Sequence, residues 1–257
     1  MTFTAVVLVV AVAAGGRGLW SPCGLSMLST ITPIGEGGRG HRYGSTAAWY
    51  VAGAVLGGLC LGVAMGAAAR FVGDRDGIAR AGAVLVAAIV ALASDGRVVG
   101  FALPIHRRQV NERWLDHYRP WVYGLGFGWQ VGTGVATYIT TAATYLLVVV
   151  GVVAVSPASA VLAGMTFGFV RGIAVFLTRD VRTSAALHRL HRRVQQLEPR
   201  SRHGVALVEC VVALVAAATI APWLLGVTAM VGAAAWCTSA ARAHRPVTAS
   251  IVDYGVR

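Results

Sequence analysis

The sequence predicts an all-α membrane protein, a polytopic transmembrane helical bundle of six or seven spans. Hydrophobic residues make up 56% of the 257 residues and charged residues only 12%, with a mean hydropathy of +0.68. An ordinary soluble domain carries roughly 25% charged residues. The apolar residues also lie in long blocks, without the short alternations of a half-buried strand. Lipid is therefore the expected solvent for most of the chain, and helices are the expected elements.

Five apolar blocks give the predicted spans. The cleanest block, 46–69, carries no charge and, at about 1.5 Å per residue, is long enough to cross a hydrocarbon core of roughly 30 Å. A third span is predicted over 77–94. Residues 120–170 contain no charged side chain, and a turn at 156–159 divides them into a fourth and a fifth span. The last block, 204–241, is either one bent span or two, which leaves the total at six or seven.

The first apolar block, 3–34, predicts a broken helix. Glycines and Arg17 interrupt it, and the turn Ser21-Pro22-Cys23 follows. The fourth span begins with a similar Gly- and Trp-containing segment, 126–133, which parallels 18–25. Similar segments three spans apart predict a 3+3 repeat with broken first and fourth helices. Because each half would hold an odd number of spans, the two repeats would be inverted in the membrane.

These patterns predict one integral membrane domain over residues 1–257. The first three-span repeat is expected over 3–105, and the second repeat with a C-terminal span over 120–241. The basic segment 179–203 has apolar residues at helical spacing, which is typical of an amphipathic helix on the membrane surface.

The arginines predict the orientation of the chain. All 22 basic residues are Arg, against 10 acidic residues, and most of them follow the first, third and fifth spans. Short cytoplasmic loops are enriched in Arg and Lys. We therefore expect a multi-pass protein of the cytoplasmic membrane of a bacterium-like cell, with the N-terminus outside and the basic loops cytoplasmic. The lipid bilayer is the expected partner and nucleic acid is not, because no basic domain lies outside the apolar blocks.

The cysteines do not form a recognisable metal or disulfide module. Cys23, Cys60, Cys210 and Cys237 all lie in or beside apolar blocks, and none belongs to a CxxC pair. No metal site and no cofactor are predicted from these positions, and the histidines at 188 and 191 lack further ligands.

Two short segments resemble the CcdA/DsbD family of membrane thiol-disulfide carriers. Ser21-Pro22-Cys23 and the later Pro33 match the family's first-span turn, and the Trp129 segment matches part of its fourth-span turn. The resemblance implies a redox thiol at Cys23 and an extracytoplasmic thioredoxin-like partner. However, Val131 and Gly132 stand where the family has proline and cysteine, so the second motif cysteine is missing.

On this resemblance, Cys23 is the working thiol of a redox carrier. The residues expected to shape its site are Trp20, Ser21, Pro22, Trp129 and Gly132. A thiol-disulfide relay also needs a resolving thiol, and Cys60 is the nearest replacement in the sequence.

A second hypothesis is a small-solute or metal-ion transporter on the same inverted-repeat fold. Arg171 lies inside the fifth span and Glu209 near the start of the sixth, where an ionisable residue is a functional hypothesis by default. Thr133 and Thr137 belong to a Thr-rich stretch of the fourth span that either lines a path or packs against another helix. A carrier or transporter is expected rather than a classical enzyme. A non-catalytic membrane assembly factor is the third hypothesis.

Overall fold

A computed structural model describes residues 3–72, 76–96, 103, 118–134, 139, 141–153, 156–221 and 224–243. Throughout these ranges every regular element is helical, which confirms the all-α prediction. The helices are α1 (Phe3–Arg17), α2 (Pro22–Thr30), α3 (Pro33–Gly38), α4 (Tyr43–Val72), α5 (Gly77–Asp95), α6 (Pro120–Thr133), α7 (Ala143–Val153), α8 (Pro157–Ile173), α9 (Ser184–Ile220) and α10 (Leu224–Ala243).

The first apolar block is broken between α1 and α2, as predicted. A short 3-10 turn, Gly18–Trp20, ends α1, and the chain bends by 65° before α2. Ser21 caps α2: its hydroxyl accepts from the Gly24 N–H at 3.1 Å and donates to the Gly18 carbonyl at 2.6 Å. Pro22 occupies the first helical turn, where its missing N–H costs nothing. The Ser-Pro sequence therefore starts a new helix at a fixed angle.

The predicted fourth span is also divided into two helices, α6 and α7. α6 ends at Thr133, and its C-cap, Gly134, has a φ of +66°. This left-handed conformation favours glycine, which has no Cβ to clash with the backbone. The next helix, α7, does not begin until Ala143.

Helix α4 occupies the centre of the bundle, packed against α6 and α8. A Cβ added at Gly128 or Gly132 of α6 would lie closer than 3.0 Å to the α4 backbone, and a Cβ at Gly58 would lie equally close to the α8 backbone at Gly164. The order of these contacts shows that α6 runs parallel to α4, whereas α8 runs antiparallel to it. Three helices therefore touch at their backbones, which only small residues permit.

Helix α9 joins the predicted basic surface segment to the apolar block that follows it. It runs without interruption for 37 residues and contains Pro199. Thr183 caps its start by accepting from the Ala186 N–H at 3.2 Å. The chain leaves α9 at Ile220 and begins α10 at Leu224, so the last apolar block forms two helices.

The described helices include four that are long and apolar enough to cross a membrane, or five if the bent α1–α2 pair is one span. The four are α4, α5, the stretch Pro157–Thr178 that begins with α8, and α9. Their length and composition support the membrane character of the chain, whereas the predicted total of six or seven spans exceeds this number.

We predict that Gly128→Ala destabilises the protein by about 1–3 kcal/mol, because the new methyl group overlaps the α4 backbone. Gly82 on α5 has no atom within 4 Å of its Cβ position, so Gly82→Ala should instead raise stability slightly through helix propensity. Thermal unfolding of the two purified variants in detergent checks this. Equal midpoints for both variants would contradict the close packing described above.

Candidate functional site at the basic end of the bundle

One end of the bundle gathers most of the described polar contacts; we call it the basic end. It is formed where α1 and α8 end and α4 and α6 begin. A Cβ at Gly15 of α1 would meet Phe167 and Val170 of α8, and Gly124 of α6 lies against Thr46 of α4. The first part of α9 covers this end.

A hydrogen bond and an ion pair connect the helix break after α1 to α9. The Trp20 indole N–H donates to the Val194 carbonyl at 2.8 Å. Glu198 accepts from Arg17 at 2.6 Å and from Arg202 at 2.9 Å. We call these three charged residues the Arg17 triad. With two guanidinium groups and one carboxylate, the triad carries a net positive charge.

The two arginines control the ionisation of Glu198. Partial burial alone would raise the pKa of this carboxyl, but the charges and hydrogen bonds of Arg17 and Arg202 outweigh burial and lower it below its ordinary value of 4.5. Glu198 therefore stays ionised, and its link to the first helix break persists, across the neutral pH range.

A second polar centre joins α3, α4 and α6; we call it the Glu36 cluster. Glu36 is completely buried. Its carboxylate accepts from the Thr46 hydroxyl at 2.5 Å, the Tyr123 hydroxyl at 2.6 Å and the Arg39 guanidinium at 2.6 Å. Arg39 also donates to the Thr30 carbonyl at 2.8 Å. Burial alone would lower the pKa of Arg39, but the hydrogen bond and the negative charge of Glu36 outweigh burial, so the pKa of Arg39 is raised above its ordinary value.

Sequence reasoning missed the Glu36 cluster. Its only signal was a lone acidic residue in the short polar stretch after Pro33. Arg39 is three residues away, but Thr46 and Tyr123 are 10 and 87 residues away, so the complete cluster forms only once α4 and α6 have packed side by side.

Arg171 lies inside the bundle rather than reaching its surface. The residue is 6% exposed, and among the described residues its Nε and Nη2 have no hydrogen-bond partner. Its guanidinium carbon lies 5.4 Å from the Phe167 ring centroid. A Cβ at Gly18 would lie 2.6 Å from the Arg171 Nε, so the glycine at the helix break makes room for this cation.

Glu209 is a second buried ionisable residue, a carboxyl group. It is completely buried in α9, and neither carboxylate oxygen has a hydrogen-bond partner in the described part of the chain. Nearby Asp95, at the end of α5, is held by the Thr141 hydroxyl and by the Ala142 N–H at 2.8 Å. Among the described residues, no ion pair joins Glu209 to Arg171.

The residues expected around Cys23 are only partly brought together. Cys23 is 2% exposed and packs in an apolar cluster that includes Val131 of α6. Trp20, Ser21 and Pro22 form the adjacent helix break. Trp129, in contrast, is 41% exposed on α6.

Two of the remaining predicted residues serve the packing and conformation of α6. Gly132 is buried against the Ala54 backbone. The Thr133 hydroxyl donates to the Gln130 carbonyl at 2.8 Å within its own helix. Thr137 lies outside the described residues.

The other described cysteines lie far along the helices from Cys23. Cys60 is exposed on α4, ten residues beyond Tyr50, which packs in the Cys23 cluster; ten helical residues span roughly 15 Å. Cys210 lies sixteen residues beyond Val194 of the same cluster, roughly 24 Å along α9. Neither is placed to resolve a disulfide at Cys23.

Comparison with known proteins places the chain beside a different group from the one its motif suggested. No family model matches, and no solved structure matches. The chain is similar to the methylamine utilization protein MauF. It is 32% identical to MauF of Paracoccus versutus over 163 residues, which are 61% of this chain and 59% of that protein. It is 33% identical to MauF of Paracoccus denitrificans over 148 residues, 55% and 52% of the two chains.

A third MauF, from Methylobacillus flagellatus, is 29% identical over 153 residues. The matched region spans between half and three-fifths of the length of these curated relatives. The similarity to MauF overturns the identification with the CcdA/DsbD family, which rested on one short Ser-Pro-Cys turn. The thiol-disulfide carrier hypothesis, its thioredoxin-like partner and the transporter alternative are therefore wrong.

We predict that Glu36→Ala destabilises the protein by about 2–4 kcal/mol, because it leaves the buried Tyr123 hydroxyl and the partly buried Arg39 guanidinium without their carboxylate acceptor. Asp180→Ala is the matched control, since Asp180 is exposed and its ion pair among the described residues is with exposed Arg179; its effect should be small. Unfolding midpoints in detergent measure both. A small effect of Glu36→Ala would show that the cluster does not hold α3 against α4 and α6.

We also predict an acid-sensitive contribution from Glu198. Because its folded-state pKa is lowered, the stabilisation is present above pH 4.5 and is lost as the pH falls through the lowered pKa. Glu198→Gln should therefore be less stable than the wild type at neutral pH, with the difference shrinking in acid. Unfolding midpoints measured across this pH range test it, and a pH-independent difference would contradict the ionic role.

Proposed function

We propose that this protein is a MauF-like integral membrane component of methylamine utilization. The observation that carries the proposal is the similarity to MauF at 32% identity over 163 residues. The apolar helices support the membrane location. Because the match spans only part of each relative, the role in methylamine utilization is an inference about this chain.

We infer further that the protein supports other proteins of that process as a non-catalytic membrane factor. The backbone contacts of α4 with α6 and α8 favour a rigid framework. The distance between Cys23 and the other described thiols also argues against an internal electron relay. Both features suit a structural or assembly role better than turnover.

The proposed topology is six or seven spans in two inverted repeats, with the basic end in the cytoplasm and the N-terminus outside. Two broken segments, α1–α2 and α6–α7, support the repeat, as does the antiparallel contact of α4 with α8. The arginines of 179–203 lie at or beside the basic end, which favours a cytoplasmic position for it.

Arg171 is the residue that we propose to matter most for function. A buried guanidinium whose Nε and Nη2 have no hydrogen-bond partner among the described residues costs free energy, and such residues in spans generally mark functional positions. Glu209 is the second residue of this kind.

The test is growth on methylamine. Deletion of the gene from its native host should abolish growth with methylamine as sole nitrogen source but not with ammonium, and the wild-type gene should restore it. Unimpaired growth of the deletion strain on methylamine would contradict the proposal.

Expressing variants in the deletion strain then tests which residues the function requires. Arg171→Met should fail to restore growth although the protein accumulates in the membrane at wild-type level, whereas Cys23→Ser should restore it. Restoration by Arg171→Met would limit Arg171 to a structural role.

A further inference from the structure

Helices α1 and α9 leave an apolar groove on the outside of the bundle. It has a volume of about 640 Å³, and most of its lining residues are aliphatic or glycine. Its walls include Leu8, Val9 and Val12 of α1 and Gly204, Val205 and Val208 of α9. Val9 and Val12 are 45% and 49% exposed, so the groove opens sideways, towards the surrounding lipid.

The groove continues away from the basic end as a narrower cavity. This second part, of about 190 Å³, lies between the same helices, and every described residue that lines it is valine or leucine, from Val6 of α1 to Val215 of α9. Along α1 the two parts extend from Arg17 to Val6, which is eleven residues or roughly 16 Å. That length matches half of a hydrocarbon core of roughly 30 Å, the depth of one leaflet.

The mouth of the groove is polar and positively charged. Arg17, Trp20 and Ser201 line it. Arg17 and Arg202 share the carboxylate of Glu198, so the Arg17 triad itself has two cations and one anion. Asp95 also acts electrostatically on both arginines, but its carboxylate is held by Thr141 and Ala142, and exposed Arg200 adds a further positive charge beside Ser201. Arg17 is 8% exposed, and its buried Nη1 has no partner among the described residues. The Arg202 side chain is 42% exposed and is accessible to a headgroup.

We propose that this groove binds an anionic phospholipid of the leaflet at the basic end. One acyl chain lies along the valine-lined walls between α1 and α9, and the phosphate pairs with the Arg17 triad, chiefly through Arg202. An apolar slot one leaflet deep with a cationic mouth is complementary to such a lipid, since basic residues at the membrane surface attract anionic headgroups. A neutral protein helix would leave the mouth charge unpaired.

The first experiment fills the groove. Gly16 and Gly204 both line it, and no atom lies within 4 Å of either Cβ position. Gly16→Leu and Gly204→Leu therefore place a side chain in the groove without displacing the helices. Gly82→Leu is the matched control, because Gly82 is equally unobstructed on α5 and away from the groove.

The readout is lipid retention. Each protein is purified in detergent with an equimolar mixture of phosphatidylglycerol and phosphatidylcholine, and bound lipid is quantified by mass spectrometry. The wild type and Gly82→Leu should retain phosphatidylglycerol preferentially, whereas both groove-filling variants should lose that preference. Equal retention of the two lipids by the wild type, or undiminished retention by the filled variants, would overturn the proposal.

The second experiment removes the charge at the mouth. Arg202→Gln should reduce the preference for phosphatidylglycerol by about fivefold, the contribution of one surface arginine. Arg189→Gln, at an exposed position elsewhere in the basic segment, should leave it unchanged. An equal loss in both variants would mean that only general surface charge attracts the lipid, which would contradict a built site.

Oligomeric state provides the remaining control. If the wild type elutes as a dimer and the groove-filling variants elute as monomers with unchanged lipid content, a second copy of the chain occupies the groove and the lipid proposal is wrong.

Discussion

The close approach of α4 to its two neighbours is the constraint on which the described structure depends. Where a Cβ at Gly58, Gly128 or Gly132 would overlap a facing backbone, even alanine requires the helices to separate. In lipid, where apolar side chains gain little from leaving their solvent, such contacts supply the van der Waals attraction that holds helices together. The packing of α6 beside α4 in turn brings Tyr123 and Thr46 to Glu36.

The polar groups divide into two kinds with different consequences. The Glu36 cluster and the Arg17 triad have direct partners, and they fasten α3 to the bundle and α9 to the first helix break. Arg171 and Glu209 are buried with unpartnered atoms in the described structure. The first kind stabilises the fold, whereas the second lowers stability and is better explained by what the protein does in the membrane.

The sequence predicted those parts of the fold that neighbouring residues in the chain determine. The Ser21-Pro22 cap predicted the first helix break, and the absence of charge along 46–69 predicted α4. The contacts of Glu36 with Tyr123 and of Glu198 with Arg17 could not be predicted, because these residues are 87 and 181 positions apart and meet only through helix packing. The family was misidentified because three residues of a helix-breaking turn have a structural explanation of their own: Ser21 caps α2 and Pro22 begins it, with or without redox chemistry at Cys23.

The arrangement of α4 beside α6 is tested most directly by cysteine crosslinking in native membranes. Trp49 and Trp121 are both exposed, and their ring centroids lie 6.3 Å apart. In a background lacking the native cysteines, Trp49→Cys with Trp121→Cys should crosslink readily on mild oxidation. Trp49→Cys with Trp129→Cys, roughly 12 Å further along α6, should not. Crosslinking of the second pair, or failure of the first, would contradict the packing on which this account rests.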